Sequence, residues 1–161
     1  MIRRRTDHRP WDDAEEGTVR VLLECSPESS PSIVAGTIER QGFEVRVCEG
    51  PGGGRRCDLL DQGVCSLVAG ADVVVNMLRG PDSSGRLVLD EVTSERRPAA
   101  VVVEMTRPEI DAMERSPETG IDRDRTTIIE TPVSGNDLVR GINEAVANRE
   151  RQAPWWGDGS S

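Results

Sequence analysis

The sequence contains no lysine and no tyrosine, and it has only one histidine and one phenylalanine. No lysine is therefore available to form a Schiff base, to act as a general base or to contact a phosphate. The single histidine, His8, lies in a polar N-terminal segment, so a catalytic triad or a histidine-based metal site has little to build on. Aromatic residues make up 2% of the chain, which means that the core must be aliphatic.

The sequence also lacks long apolar runs and an excess of positive charge. No segment is apolar enough to span a bilayer, and Met-Ile-Arg-Arg-Arg at the start lacks the apolar stretch of a signal peptide. The formal net charge is -9 at pH 7, and like charge repels phosphate backbones and anionic lipid at long range. We therefore expect a cytoplasmic protein that binds neither nucleic acid nor membrane.

The length of 161 residues suits one domain with a tail at each end. Residues 1–17 are polar and charged, and we predict a disordered leader there. Residues 18–150 form the predicted domain, and residues 151–161 form a predicted flexible tail. The two indoles of Trp155 and Trp156 in this tail offer apolar area either to a partner or to the domain itself.

Within residues 18–150, short β-branched and aliphatic runs alternate with amphipathic segments. The predicted strands cover residues 19–23, 43–47, 72–78, 99–105 and 126–130. The predicted helices cover residues 31–42, 86–95, 108–115 and 136–149, with one short helix near 59–68 after the glycine-rich loop 50–54. Five strands that are each followed by a helix predict a doubly wound α/β fold with a five-stranded parallel sheet.

Three local motifs follow the ends of predicted strands. Leu23-Glu-Cys-Ser-Pro27 follows the first strand, and Met77 ends the third strand with Pro81 four residues on and Gly85 eight residues on. Glu130-Thr-Pro-Val133 follows the fifth strand. In their order and spacing, these motifs resemble the receiver domain of response regulators in two-component signalling. The resemblance covers residues 18–150 and implies the flavodoxin-like (βα)5 arrangement of that family.

The resemblance also assigns positions to a site. In receivers, the first strand ends in an acidic pair that binds magnesium, the third in the phosphoacceptor aspartate, the fourth in Ser or Thr, and the fifth in a Lys-Pro pair that is usually cis. The matching positions of this sequence are Glu24 and Cys25, Met77, Glu104, and Thr131 with Pro132. Because a thioether supplies no oxygen nucleophile and no lysine is present, we expect no aspartyl phosphorylation.

The four cysteines suggest a second hypothesis. Cys25 and Cys48 follow the first two strands, so a parallel sheet would bring both to its carboxyl edge, and Cys57 and Cys65 could fold back over that edge. Four thiols around one site could hold zinc or an iron-sulfur cluster, or form a redox pair. The alternative is that they are small buried residues that only pack the core, and no cofactor is then expected.

The resulting hypothesis is a phosphorylation-independent, receiver-like signalling or protein-interaction module. Its output would depend on a protein partner, with a homodimer as an alternative, bound at the faces around the fourth helix, the fifth strand and the fifth helix. The competing hypothesis is a cysteine-based metal-binding or redox-sensing protein on the same scaffold. Glu24 and Glu104 could also form a carboxylate pair at the sheet edge, or each could be solvated or paired with an arginine such as Arg107 or Arg79. We predict no enzymatic activity, and an enzyme with an unrecognised site is the third hypothesis.

Overall fold

The computed structural model describes Trp11 and residues 15–51, 56–78, 88–92, 99–116 and 124–152. Its five strands form one parallel sheet in the order β2-β1-β3-β4-β5. The strands are β1 Arg20–Cys25, β2 Glu44–Cys48, β3 Val73–Met77, β4 Ala100–Met105 and β5 Thr126–Glu130. The doubly wound parallel sheet predicted from the sequence is confirmed.

Helices cover both faces of the sheet. They are α1 Pro31–Glu39, α2 Asp58–Gln62, α3 Ser66–Gly70, α4 at residues 88–92, α5 Arg107–Arg115 and α6 Gly135–Gln152, with a short 3-10 helix at Pro27–Ser29. The ends of the predicted helix 86–95 lie outside the described residues, as do residues 1–10, Arg79, Pro81, Gly85 and the tail from 153 onward.

The single short helix predicted between the second and third strands is wrong, because the structure contains two. Gly63 ends α2 in a left-handed conformation with φ of 74°, which only glycine adopts readily, and its N–H bonds back to Leu59. The chain then turns and starts α3 at Ser66. The final helix begins as predicted, since the Ser134 hydroxyl accepts the backbone N–H of Asp137 at 3.1 Å.

The sheet is buried on both faces because successive side chains of a strand point to opposite sides. We call the side covered by α2, α3, α4 and α5 the α5 face, and the side covered by α1 and α6 the α6 face. On the α5 face, Leu22 of β1 and Val74 of β3 pack against Leu67 and Met113. The α6-face core is formed by Val21, Leu23, Val73, Val75, Ile38, Leu138 and Ile142, among others.

Trp11 belongs to the core of the α5 face although it lies within the leader predicted to be disordered. Its side chain is 4% exposed, and its indole N–H donates to the Leu67 carbonyl at 2.9 Å. The Arg46 guanidinium stands 5.2 Å from the indole ring centre, a cation–π geometry. Gly70 leaves room for the ring, because a Cβ at that position would come within 2.2 Å of Trp11 Cδ1.

Asp72 anchors the amino end of the sheet. Its carboxylate accepts the Arg20 backbone N–H at 2.9 Å and the Arg149 guanidinium at 2.8 Å, which ties β1, β3 and α6 together. This carboxylate therefore lies at the opposite end of β3 from Met77. Among the described helices, none combines the length and apolar character that crossing a membrane requires.

Candidate functional site

The predicted site residues lie at the carboxyl edge of the sheet, where β1, β3 and β4 end. The strand register places Cys25 beside Met77, while Glu24 stands between Asn76 on β3 and Cys48 on β2. Because consecutive side chains alternate, Cys25 and Met77 pack on the α6 face and Glu24 points to the α5 face with Leu22. The positions that the resemblance groups into one pocket are thus divided between two sides of the sheet.

Met77 occupies the end of β3, the position that the resemblance assigns to the phosphoacceptor. Its side chain is only 9% exposed and packs with Cys25 among the apolar residues of the α6 face. A thioether neither attacks phosphorus nor binds magnesium, which prefers oxygen ligands. This position is part of the core packing.

Glu104 and Thr131 form the polar part of the edge. The Thr131 hydroxyl donates to Glu104 Oε1 at 2.8 Å, and the Thr131 backbone N–H donates to the Met105 carbonyl at 2.9 Å. The peptide bond between Thr131 and Pro132 is cis, as in the Lys-Pro pair of the resemblance. The residue in the lysine position therefore holds Glu104 with a neutral hydroxyl instead of a positive charge.

Cys25 is a buried thiol in an acidic environment. Burial is the main cause that raises its pKa to about 11, and the nearby carboxylates of Glu104 and Glu49 raise it further. Glu49, which is 6% exposed, was not singled out from the sequence. Since the thiolate is the reactive form, Cys25 is an unreactive thiol at neutral pH.

Glu24 is a buried carboxyl group, so the expectation that it is solvated is wrong. It is 2% exposed, and burial raises its pKa to about 8, although the nearby Asn76 amide partly lowers it. Glu24 is therefore mostly neutral at pH 7. Glu24 Oε1 and Asn76 Nδ2 are both buried, and neither atom has hydrogen-bond geometry to any described residue.

The structure does not form the carboxylate pair suggested for Glu24 and Glu104. Glu24 shares the α5 face with Leu22, whereas Glu104 alternates with Val103 and Met105 of that face and so lies on the α6 side. Arg107 pairs with Asp111 at 3.0 Å and with Glu130 at 3.7 Å. Arg79, the other arginine considered, lies outside the described residues.

The four cysteines are divided in the same way. Cys48, Cys57 and Cys65 pack against the core of the α5 face, while Cys25 is buried in the core of the α6 face. This division follows from the strand register. Cys48 pairs with Glu24 and shares its face, whereas Cys25, the next residue of β1, points to the opposite face of the sheet. The structure therefore brings together three of the four thiols and not Cys25.

The three thiols of the α5 face are partly buried and stand in an acidic environment. Burial is the main cause that raises the pKa of Cys48 to about 12, and Glu24 and the other two thiols add to it, against a lowering effect of the Gly50 N–H. Burial also raises the pKa of Cys57. Over the ranges that the structure describes, no three His, Cys, Asp or Glu side chains are placed to hold a metal ion.

No family model and no curated protein matches the sequence. Solved structures match its fold over most of the chain. The signal receiver domain of a protein described as a Luxo repressor, from Vibrio parahaemolyticus, matches with a TM-score of 0.61 and 16% identity over 87% of this chain and 98% of that one. A CheY-like response regulator receiver domain from Methanospirillum hungatei JF-1 matches with a TM-score of 0.60 and 18% identity over 84% and 98% of the two chains.

A structure described as adenylate cyclase from Rhodopirellula baltica matches with a TM-score of 0.57 and 17% identity, over 85% of this chain and 93% of that one. Identities this low relate the proteins through their fold. The parallel five-stranded sheet, the strand order and these superpositions lead to one conclusion. This chain has the fold of the response-regulator receiver domains.

Proposed function

We propose that this chain is a receiver-like signalling module that acts through contacts with a protein partner and without phosphorylation of an aspartate. The observation that supports this most directly is the buried thioether of Met77 at the end of β3. Transfer of a phosphoryl group to a carboxylate needs an oxygen nucleophile, a divalent cation and a positive charge near the product. Met77 and Thr131 supply neither the nucleophile nor the positive charge.

The remaining acidic groups favour the same proposal. Magnesium prefers ionised oxygen ligands, but the buried Glu24 is mostly neutral at pH 7 and lies on the α5 face, away from Cys25 and Met77. Glu104 on the α6 side accepts a hydrogen bond from Thr131. Among the described residues, the acidic pair that the resemblance assigns to magnesium is replaced by a neutral carboxyl group and a thiol, and the proposed module needs no bound metal.

The surfaces around α5, β5 and α6 are the proposed contact region for the partner, as the resemblance implies. We propose a cytoplasmic location. We expect no catalytic activity, since the sheet edge presents buried thiols with raised pKa values and a neutral carboxyl group. These groups are poor nucleophiles and poor general bases at neutral pH.

Phosphate labelling tests this proposal. The purified protein is incubated with acetyl phosphate and Mg²⁺, in parallel with a receiver domain that has a complete site. The intact mass of each protein is measured before incubation and after the reaction is quenched with acid. We expect the mass of the control receiver to increase by that of a phosphoryl group. The mass of the present chain should not change. A phosphoryl group mapped by peptide mass spectrometry to any Asp of this chain would contradict the proposal.

A cysteine-based metal-binding or redox-sensing protein is the second candidate function. The observation that favours it is that Cys48, Cys57 and Cys65 pack on the same face, where the Cys65 thiol raises the pKa of both Cys48 and Cys57. The raised pKa values of Cys48 and Cys57 oppose ready oxidation, because the thiolate is the form that reacts. We therefore place this function second.

Metal analysis and thiol titration of protein purified without oxygen separate the two candidates. The signalling proposal predicts four titratable thiols and no stoichiometric zinc or iron. Stoichiometric metal that is lost in Cys57→Ser but kept in Cys25→Ser would instead support a site on the α5 face. The Cys25→Ser variant is the matched control because Cys25 lies on the other side of the sheet.

A further inference from the structure

The two short helices α2 and α3 cover the α5 face of the sheet near its carboxyl edge. We call residues 57–70 the α2–α3 segment. Each helix has only five residues, and isolated helices of that length are unstable in water, so both depend on packing against the sheet. Leu59, Leu67 and Val68 are buried in the core, whereas most of the other side chains of the segment are exposed. Three buried apolar side chains therefore hold this layer to the sheet.

A polar cluster lies beneath the α2–α3 segment. Glu24 at the end of β1 and Asn76 at the end of β3 are 2% and 5% exposed, and Glu24 Oε1 and Asn76 Nδ2 have no hydrogen-bond partner among the described residues. The Cys57 thiol, at the N-cap of α2, lies close enough for a charge on Glu24 to raise its pKa. The strand order reverses between β1 and β3, and open α/β sheets bind ligands at the carboxyl end of that point. The segment therefore covers the place where such folds present a site.

Covering this cluster is unfavourable in itself. A buried polar atom without a partner loses the hydrogen bonds that it makes to water, and each such atom lowers the stability of the closed arrangement. Movement of α2 and α3 away from the sheet returns water to both atoms and breaks few apolar contacts. A contact that holds the segment in place therefore has a large effect on how often it opens.

Trp11 supplies such a contact. Its indole N–H donates at 2.9 Å to the Leu67 carbonyl, which is one of the last four carbonyls of α3 and has no partner within the helix. The ring fills the space beside Gly70 and lies against Arg46 of β2, which pairs with Glu44 at 2.6 Å. Trp11 therefore joins α3 to the β2 edge of the sheet, although it lies on the N-terminal side of β1 in the chain.

We propose that the α2–α3 segment is a lid over Glu24 and Asn76, and that Trp11 is the latch that holds this lid closed. A partner that binds Trp11 and withdraws it opens the lid and gives access to the carboxyl ends of β1 and β3. Such a partner must offer an apolar pocket with a hydrogen-bond acceptor, because the indole gives up both when it leaves. The lid operates with or without phosphorylation of an aspartate, so it stands independently of the proposed function.

Thiol labelling of a Glu24→Cys variant tests the lid. Position 24 lies beneath the lid, whereas its neighbour Cys25 is buried in the core of the α6 face, so two adjacent residues report on the two sides of the sheet. The full chain is labelled with N-ethylmaleimide at several low urea concentrations, and tandem mass spectrometry separates the two positions. We expect position 24 to be labelled faster and with a weak dependence on urea, because lid opening exposes little surface. Labelling of Cys25 should rise steeply with urea, as global unfolding does.

Trp11→Phe in the Glu24→Cys background tests the latch. Phenylalanine keeps an aromatic ring beside Gly70 and removes the N–H, so we expect position 24 to be labelled about tenfold faster at low urea, as for the loss of one hydrogen bond. Ile142→Val in the same background is the matched control. Ile142 is buried on the α6 face, so this change lowers global stability and speeds the labelling of Cys25, but it leaves the low-urea labelling of position 24 unchanged.

Three results would overturn the proposal. The first is an equal rate and an equal urea dependence at positions 24 and 25, which would mean that both become exposed only by global unfolding. The second is labelling of position 24 as fast as in an unfolded peptide, which would mean that nothing covers it. The third is low-urea labelling of position 24 that Trp11→Phe leaves unchanged. If Glu24→Cys does not fold, Asn76→Cys on β3 is the reporter, and the same three outcomes decide.

Discussion

At the scale of single residues, the most consequential feature is a neutral carboxyl group at the end of β1. Glu24 is 2% exposed and has no charged residue beside it in the strand register, where its neighbours are Cys48 and Asn76. Removing a carboxylate from water without a cation raises its pKa, here to about 8. The carboxyl group at this position is thus buried beside Asn76, whose amide only partly lowers its pKa.

This burial predicts a stability that falls as the pH rises. The unfolded chain holds Glu24 near its ordinary pKa of 4.5, whereas the folded chain holds it near 8. Between these values the folded state binds a proton that the unfolded state has released, so stability is fully present below pH 4.5 and is lost as pH rises to 8. For one proton the loss is at most about 1.4 kcal/mol per pH unit.

Urea unfolding at several pH values between 5 and 8 measures this effect. In Glu24→Gln the group no longer titrates. We therefore expect the unfolding free energy of the wild type to fall relative to that of the variant as the pH rises. Glu28→Gln, at an exposed position, should keep the wild-type pH profile. A Glu24→Gln profile parallel to that of wild type would show that Glu24 ionises normally in the folded state.

At the scale of elements, the sequence predicts the strands better than it predicts which side chains meet. The β-branched and aliphatic runs predict all five strands within about two residues, and the fifth strand is predicted at 126–130 as observed. The split of the short helix at Gly63 was missed, because a left-handed glycine in a weakly periodic segment gives no pattern of its own.

The candidate site was predicted less completely, for a reason of register. Strand alternation alone indicates that Glu24 and Cys25 face opposite sides of the sheet. The position of Cys48 beside Glu24, and hence its separation from Cys25, depends on how β1 and β2 align. Packing between distant segments determines which strands are neighbours and in which register they pair. Local sequence patterns therefore do not reveal the register.

At the scale of the whole molecule, the folded structure includes a residue of the N-terminal segment. Trp11 is one of three tryptophans in a chain with a single phenylalanine and no tyrosine, so it provides an unusually large share of the aromatic core. A lone indole in a polar segment has no periodicity, and the fit to Gly70 appears only in three dimensions.

The contact between Trp11 and Gly70 makes a prediction for global stability. Trp11→Ala removes a buried indole and its bond to the Leu67 carbonyl, so we expect the unfolding free energy to fall by about 3–5 kcal/mol in urea denaturation. Gly70→Ala places a Cβ within 2.2 Å of the ring and should cost about 1–3 kcal/mol through overpacking. In the Trp11→Ala background the added methyl group has room, so Gly70→Ala should cost much less there. Equal costs of Gly70→Ala in both backgrounds, together with an unchanged stability of Trp11→Ala, would show that the indole does not belong to the core.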